Sequence, residues 1–339
     1  MTLNQRIQSF VKLGNLLTEG SPALTEIIQT AHRHNAWFTP QNIEQALKAN
    51  IQLLSEERLI QWIEGYSHDF EPDNPSIVGL VLAGNIPMVG FHDVLSSLIA
   101  GFSVQIKTSS DDKQLIPYLL NELIKIEPAF KPKIQLTDRL SNFDLIIATG
   151  SNNTSRYFEY YFQKVPHIIR KNRNSVAVLS GQESAEELKQ LGHDIFDYFG
   201  LGCRNVSKIF FPKGYNYATF FEAIESFSPI SNHFKYHNNY DYNKAIYLVN
   251  GDKHLDNGFL LLKEDERIAS PLAVVYYEEY NELENVLIRL NSERESIQCA
   301  VSNLPLPLPA TGFGESQRPG LSDYADGINI LDFLKANRP

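Results

Sequence analysis

The run Ser76-Ile-Val-Gly-Leu-Val-Leu-Ala83 constrains the fold more than any other part of the chain. It is apolar without alternation and is cut off by Gly84-Asn85. A strand with one wet face shows a polar residue at every second position. A continuous apolar run of this length therefore predicts a strand covered on both sides, as in a parallel sheet. A helix is predicted next from Asp93 to Gly101, then a strand over Ser103-Val-Gln-Ile-Lys107. A helix from Leu115 to Ile126 and a strand over Asp144-Leu-Ile-Ile-Ala-Thr149 continue the series. Strand and helix in alternation predict a doubly wound α/β sheet.

The first 70 residues predict helices. Ile7, Phe10, Val11 and the Leu13–Leu17 stretch recur near helical spacing. Thr39-Pro40-Gln41-Asn42 has the form of an N-cap with proline in the first turn, ahead of Ile43, Leu47, Ile51 and Leu54. The pattern changes at Pro75, and a second α/β series begins near Asn174. Its predicted strands cover residues 175–179, 207–211, 244–249, 272–277 and 297–302; its helices cover 184–198, 217–227 and 280–291. The Asn- and Tyr-rich stretch 237–243 reads as a polar loop, and the Pro- and Gly-rich tail from Leu304 as an ordered loop. The expected organisation is 1–174, 175–310 and 311–339: two Rossmann-type α/β lobes with parallel sheets, and a tail that packs back on an interdomain cleft. Ligands of such folds sit in clefts of this kind.

Composition narrows the function classes. The 339 residues, 43% of them hydrophobic, suffice for two cores and exclude a disordered chain. A net charge of −10 argues against nucleic acid as the main partner. Two cysteines, Cys203 and Cys299, exclude a disulfide framework and a four-cysteine zinc site. His32, His34, His92, His167 and His193 show no metal-ligand spacing, so no metal is expected. The apolar stretch from Ile77 to Pro87 is about half the roughly 20 residues of a spanning helix. The start, Met1-Thr-Leu-Asn-Gln-Arg-Ile7, lacks the basic and apolar parts of a signal peptide. No membrane span and a cytoplasmic location are the expectation.

Several segments could carry chemistry. Cys203 stands in Phe199-Gly-Leu-Gly-Cys-Arg-Asn-Val206, where glycines give access and Arg204 could lower the thiol pKa. Such a thiol is either a nucleophile toward carbonyls and thioesters or a buried structural cysteine, and the local text leaves both open. Cys299, inside the apolar run Ile297-Gln-Cys-Ala-Val301, reads as core. Asn85 is an amide at a strand end, fit to donate to an oxyanion or merely to turn the chain. Thr149-Gly150-Ser151 ends another strand before a predicted helix from Arg156 to Phe162, so its backbone N–H groups could face a phosphate. Lys107, at the end of its strand, could bind ribose or phosphate, or could simply be solvated.

Taken in order, these segments resemble the aldehyde dehydrogenase superfamily, and within it the acyl-CoA reductases of the LuxC type, from about Ile77 to Phe333. Gly84-Asn-Ile-Pro87 is similar to the superfamily's Asn-Phe-Pro turn, and Ile106-Lys-Thr-Ser-Ser110 to its Lys-Pro-Ser-Glu segment. Arg267-Ile-Ala-Ser-Pro-Leu272 is similar to Glu-Ile-Phe-Gly-Pro-Val, and the stretch from Thr311 to Gly320 to the glycine-rich C-terminal loop. The resemblance implies an aldehyde-dehydrogenase-like fold and Cys203 as nucleophile. It implies Asn85 as oxyanion donor, Lys107 at the adenosine ribose, and Thr149, Gly150 and Ser151 beside the pyrophosphate. It further implies a nicotinamide cofactor, an acyl-CoA or other acyl thioester as substrate, and a homo-oligomer, a dimer by expectation.

Three departures sharpen it. Lys171-Asn-Arg-Asn174 stands where a Glu-Leu-Gly-Gly segment carries the base that hydrolyses the thioester, which favours reduction over oxidation. Arg267 replaces the carboxylate at the nicotinamide ribose, leaving Glu266 one position earlier as the candidate. Ser110 replaces a Glu that repels a 2′-phosphate, which favours NADPH, with NADH as the alternative. Two other classes stay open: a thiol-dependent acyltransferase or thioesterase without hydride transfer, and a non-catalytic ligand-binding member. His92 could lie near the site or on a helix surface. Tyr157, Phe158, Tyr160, Tyr161 and Phe162 read as core rather than an acyl tunnel.

Overall fold

The computed structural model describes residues 1–71, 76–308 and 310–338; Pro75, where the sequence pattern changes, lies outside them. In chain order the elements are α1 (Leu3–Glu19), α2 (Pro22–Thr30), α3 (Pro40–Leu53), α4 (Glu56–Ile63), α5 (Ser67–Phe70), β1 (Ile77–Val81), α6 (Phe91–Ile99), β2 (Ser103–Lys107), α7 (Leu115–Ile126), β3 (Ile134–Leu136), β4 (Leu145–Thr149), α8 (Asn152–Phe162) and β5 (His167–Arg170). They continue with β6 (Asn174–Val178), α9 (Ala185–Phe196), β7 (Val206–Pro212), α10 (Tyr217–Ala223), α11 (Phe234–Asn250), β8 (Leu255–Asp256), β9 (Leu261–Glu264), β10 (Val274–Tyr280), α12 (Leu283–Ser292), β11 (Ile297–Val301), β12 (Ala310–Thr311) and α13 (Ile330–Ala336). The chain divides into two compact units, Met1–Asn172 with Gly320–Pro339, and Arg173–Pro319. The segment 311–339 is thus shared: its first nine residues belong to the second unit and the rest to the first.

In the first unit the strands run in the order β3-β2-β1-β4-β5, all parallel, with Val81 beside Lys107 and Val78 beside Leu145. β1 is central and its Val78 and Leu80 are fully buried, as its unbroken apolar text requires. Helix starts follow local chemistry. The Thr39 hydroxyl accepts the Asn42 N–H at 3.3 Å, with Pro40 in the first turn of α3. The core centres on Phe10, whose ring meets Phe91 and Phe130 edge-on at 6.5 and 5.9 Å. Two buried cations brace it. Arg6 donates to Ile99 O at 2.9 Å, to Met1 O at 2.8 Å and to Phe70 O. Arg170 grips Asp93 with two bonds of 2.6 and 2.9 Å.

In the second unit the order is β12-β11-β6-β7-β10-β9-β8, parallel except for the β8–β9 pair. Ser184 opens α9 with a reciprocal cap against Glu187. One expectation fails here. Residues 237–243 are not a loop and 244–249 are not a strand; both lie in the 17-residue α11. Its buried stripe is Tyr236, Tyr240, Asn243 and Tyr247, a helical spacing written in residues that read as polar. Their polar tips are paired: Tyr236 donates to Phe259 O at 3.0 Å, Tyr240 to Asp256 at 2.7 Å and Asn243 to Leu272 O at 2.9 Å. A second miss is α13, a helix inside the expected loop tail. Asn329 caps it, and Ile330, Leu331 and Leu334 are buried.

Candidate active site

In a doubly wound sheet the chain leaves the central strand in opposite directions at a switch point, and the strand ends there form a crevice. In the first unit that point lies between β1 and β4. Asn85 is exposed in the turn after β1, Lys107 is exposed at the end of β2, and Ser110 is exposed three residues on. Thr149 ends β4, and Ser151 caps α8, its hydroxyl accepting the Thr154 N–H at 3.3 Å. The sheet therefore brings Asn85, Lys107, Ser110, Thr149, Gly150 and Ser151 to one edge.

The loops after β1 and β2 touch where the Gly84 backbone meets the Ser109 side chain. A Cβ on Gly84 would lie 2.5 Å from the Ser109 Cβ, so only glycine fits beside Asn85. Asp112 holds the two loops together. Its buried carboxylate accepts the Met88 N–H at 3.1 Å and the Leu115 N–H at 3.2 Å. Burial pushes its pKa up, against the pull of these bonds. Met88 has a left-handed backbone, φ 60°, which the loop imposes on a non-glycine residue. The sequence signal for Asp112 is an acid three residues ahead of an apolar helix.

In the second unit Cys203 is half-buried, in a turn closed by the Asn205 N–H on Gly202 O at 3.0 Å. The Asn205 side chain locks this turn. Its Oδ1 accepts the Gly202 N–H at 2.8 Å, and its Nδ2 donates to Asp197 O at 2.9 Å and Asp194 O at 3.1 Å, at the end of α9. The Ser175 hydroxyl donates to Cys203 O at 3.1 Å. Ahead of the turn, Tyr198, Phe199 and Gly200 have φ of 53°, 59° and 77°, so the chain enters it through three left-handed residues. Cys299 is 5% exposed in β11, and burial pushes its thiol up. The Arg204 charge and a hydrogen bond from it favour the Cys299 thiolate, more weakly than burial opposes it.

Other candidates fall elsewhere. Glu266 is exposed just past the C-terminal end of β9, whereas Cys203 precedes the N-terminal end of β7 in the same parallel sheet. The sheet does not bring them together. Arg267 binds Asp265 at 2.8 and 2.6 Å and lies 4.9 Å over the Tyr276 ring, holding the Asp265 carboxyl well below the usual range. Asp194, fully buried on α9, accepts the N–H groups of Gly314 at 2.7 Å and Ser316 at 2.9 Å. It so ties part of the glycine-rich stretch near residue 314 to the helix that carries the Cys203 turn. Burial raises its pKa to about 6. His92 is structural: its Nε2 meets Leu321 O at 2.9 Å and its ring packs on Trp62 and Tyr324. Phe158 and Phe162 pack together, and Phe162 meets Phe143, but Tyr157, Tyr160 and Tyr161 are 65–71% exposed, against the expected core. A cavity of about 210 Å³ opens beside the Cys203 turn, with Phe199, Leu201, Asn205, Tyr236 and Leu272 among its walls. Among the described residues no cluster of metal-ligating side chains occurs and no helix is long and apolar enough to cross a membrane.

The family model for acyl-CoA reductase (LuxC) matches residues 12–224. That span contains Asn85, Lys107, Ser110, Thr149–Ser151 and Cys203; Glu266 lies outside it. No curated protein matches the chain by sequence. Solved structures match by shape. Aldehyde dehydrogenase 21 of Physcomitrella patens, in complex with succinate, is 12% identical, with TM-score 0.71 over 100% of this chain and 85% of its own. An aldehyde dehydrogenase of Mycobacterium tuberculosis complexed with NAD+ is 13% identical, with TM-score 0.65 over 89% and 73%. One from Bacillus cereus, also an NAD+ complex, is 14% identical, with TM-score 0.59 over 89% and 72%. The chain thus has an aldehyde-dehydrogenase-like α/β fold.

Proposed function

This chain belongs to the acyl-CoA reductase (LuxC) family, and from that premise we propose that it reduces an acyl-CoA to the aldehyde through a thioester on Cys203. The observation that carries this reading is the Cys203 turn: a half-buried thiol held in place by the side chain of Asn205, while the chain's other cysteine is buried in a strand. In this mechanism the Cys203 thiolate attacks the acyl carbonyl, Asn85 and the Cys203 N–H donate to the oxyanion, and CoA leaves as its thiol. Lys171-Asn-Arg-Asn174 holds no carboxylate to activate water, so the acyl-enzyme persists until it is reduced. A reduced nicotinamide, once bound, would supply the hydride. The thiohemiacetal then collapses, releasing aldehyde and restoring Cys203.

The donor set at the strand ends of the first unit suits a dinucleotide: an exposed Lys107, and a Gly150-Ser151 step into the N-terminus of the 11-residue α8. We place the adenosine ribose at Lys107 and the pyrophosphate at Thr149, Gly150 and Ser151. Ser110 offers no charge against a 2′-phosphate, which supports NADPH; Asp111, exposed one residue further, is the observation that favours NADH. Comparing kcat/KM for the two cofactors in the wild type and in Ser110→Glu decides between them.

The test is intact mass after incubation with an acyl-CoA and no cofactor. One acyl group on the wild type and none on Cys203→Ala supports the reading; acylation elsewhere overturns it. The replacement of the ribose carboxylate by Arg267 favours a second reading, an acyltransferase or thioesterase. Acylation of Cys203 with no binding of NADPH or NADH would establish that one instead.

A further inference from the structure

The turn that carries Cys203 is held from outside as well as from within. Gly202, Cys203, Arg204 and Asn205 form a β-turn whose central peptide joins Cys203 to Arg204, and Cys203 O is the carbonyl of that peptide. Arg204 does not have a positive φ, so the turn is not type II, in which this carbonyl faces the other way. Ser175, near the start of β6, fixes the arrangement with two bonds. Its N–H donates to Asn205 O at 3.2 Å and its hydroxyl to Cys203 O at 3.1 Å. The same Ser175 Oγ lies 3.1 Å from Cys299 Sγ. A hydroxyl has one proton, and a carbonyl can only accept. The Ser175 proton therefore goes to Cys203 O, and the Cys299 S–H donates to Ser175 Oγ. Burial keeps that thiol protonated. The Arg204 side chain hydrogen-bonds Cys299 in turn, and a guanidinium can only donate. A directed series results: Arg204 guanidinium, Cys299 thiol, Ser175 hydroxyl, Cys203 carbonyl. Ser175 is fully buried and Cys299 nearly so, which shields these bonds from competing water.

The sheet departs from regular pairing at the same place. Ser175 and Val176 pair with Val206 and Lys208, so β7 carries one extra residue opposite β6. Asn174 and Val176 pair with Ile297 and Ala300, so β11 carries one extra residue too, in the stretch that contains Cys299. Such bulges interrupt the ladder and re-aim side chains, and they gather beside active sites. We propose that Cys299 and Ser175 are positioning residues for Cys203. Cys299 donates to Ser175, Ser175 holds the central peptide of the turn, and the thiol and N–H of Cys203 are thereby kept in line for acyl transfer. The proposal rests on the acyl-enzyme reading above. Misplacing a reacting group by about 1 Å can cost about 100-fold in rate, so loss of the series is expected to show in the acylation step.

The experiment compares the wild type with Ser175→Ala, Cys299→Val and Cys299→Ser, with urea unfolding to confirm that each folds. It measures the rate of Cys203 acylation against acyl-CoA concentration, and the rate of Cys203 alkylation by iodoacetamide, both by peptide mass. Iodoacetamide needs an accessible thiolate but no oxyanion donor. Ser175→Ala should lower the saturating acylation rate by about tenfold or more, with the half-saturating concentration and the alkylation rate within about twofold of the wild type. Cys299→Val keeps bulk, loses the donor and should lower the rate in the same way. Cys299→Ser keeps a donor and should restore most of it. A merely structural pair would cost stability and leave acylation of the folded protein alone. An unchanged acylation rate in Ser175→Ala, or equal rates in Cys299→Val and Cys299→Ser, overturns the proposal and leaves the reductase reading intact. If Ser175→Ala does not fold, the two Cys299 variants decide. If no acyl-CoA labels wild-type Cys203, the reductase reading fails. Amide hydrogen exchange over residues 200–206 then decides the series by itself. Faster exchange in Ser175→Ala and Cys299→Val but not in Cys299→Ser supports it, and equal exchange removes it.

Discussion

Asn205 and Cys203 are two residues apart, yet only one of them was visible from composition and motif. The thiol stood out because glycines surround it and its chemistry is rare. Asn205 reads as one polar residue among many, and its role exists only once α9 brings the carbonyls of Asp194 and Asp197 to it. Replacing Asn205 by Ala leaves the Gly202 N–H and those carbonyls without their partner. About 2–3 kcal/mol of stability should be lost, together with the rate of acylation; urea unfolding and the rate of mass gain from acyl-CoA check both. Asn85→Ala removes the proposed oxyanion donor and should lower turnover by about 100-fold or more, with nicotinamide binding unchanged by calorimetry; an unchanged turnover removes Asn85 from the role. Asp194 gives a pH signature. Its carboxyl titrates near 6 when folded against a usual 3.8. Between those values the folded state keeps a proton that the unfolded state has lost. This group's contribution is therefore full below about pH 4 and falls as pH rises through about 6, by on the order of 3 kcal/mol. Stability profiles of wild type and Asp194→Asn between pH 4 and 7 should diverge in that direction; parallel profiles contradict it.

At the scale of elements, legibility followed the chemistry of the buried face. β1, β2, β4, β6, β7 and β11 bury aliphatic runs and were placed from the text to within a residue or two. α11 reads as a polar loop and a strand because its buried stripe is tyrosine and asparagine, whose polar tips find partners only in the folded unit. The edge strands β3, β5, β8 and β12 are two to four residues long and leave no periodic signal. β5 shows what the text cannot reveal, for its Arg170 is held by Asp93 of α6, 77 residues earlier. Asp93→Ala takes the carboxylate away from a buried guanidinium and should cost about 3–5 kcal/mol; loss of less than 1 kcal/mol in urea unfolding would show the pair to be dispensable.

For the whole molecule, the ordered series of strands and motifs pointed to two α/β lobes, and the structure has two compact units with a sheet in each. The sequence gives no sign that the last 20 residues rejoin the first unit, because that return depends on tertiary contacts such as Trp62 Nε1 on the Tyr324 hydroxyl at 2.9 Å. The acyl-CoA reductase (LuxC) family model spans both units, from residue 12 to residue 224, and includes the strand-end edge of the first and the Cys203 turn of the second. The central claim is that this chain reduces an acyl-CoA through a thioester on Cys203. The most direct measurement is loss of the reduced-nicotinamide absorbance when the purified protein is mixed with an acyl-CoA panel, in the wild type and in Cys203→Ser. Cofactor oxidation that depends on acyl-CoA and disappears in Cys203→Ser is the predicted result. Oxidation that survives the substitution, or its absence from a folded wild type that binds the cofactor, contradicts the account.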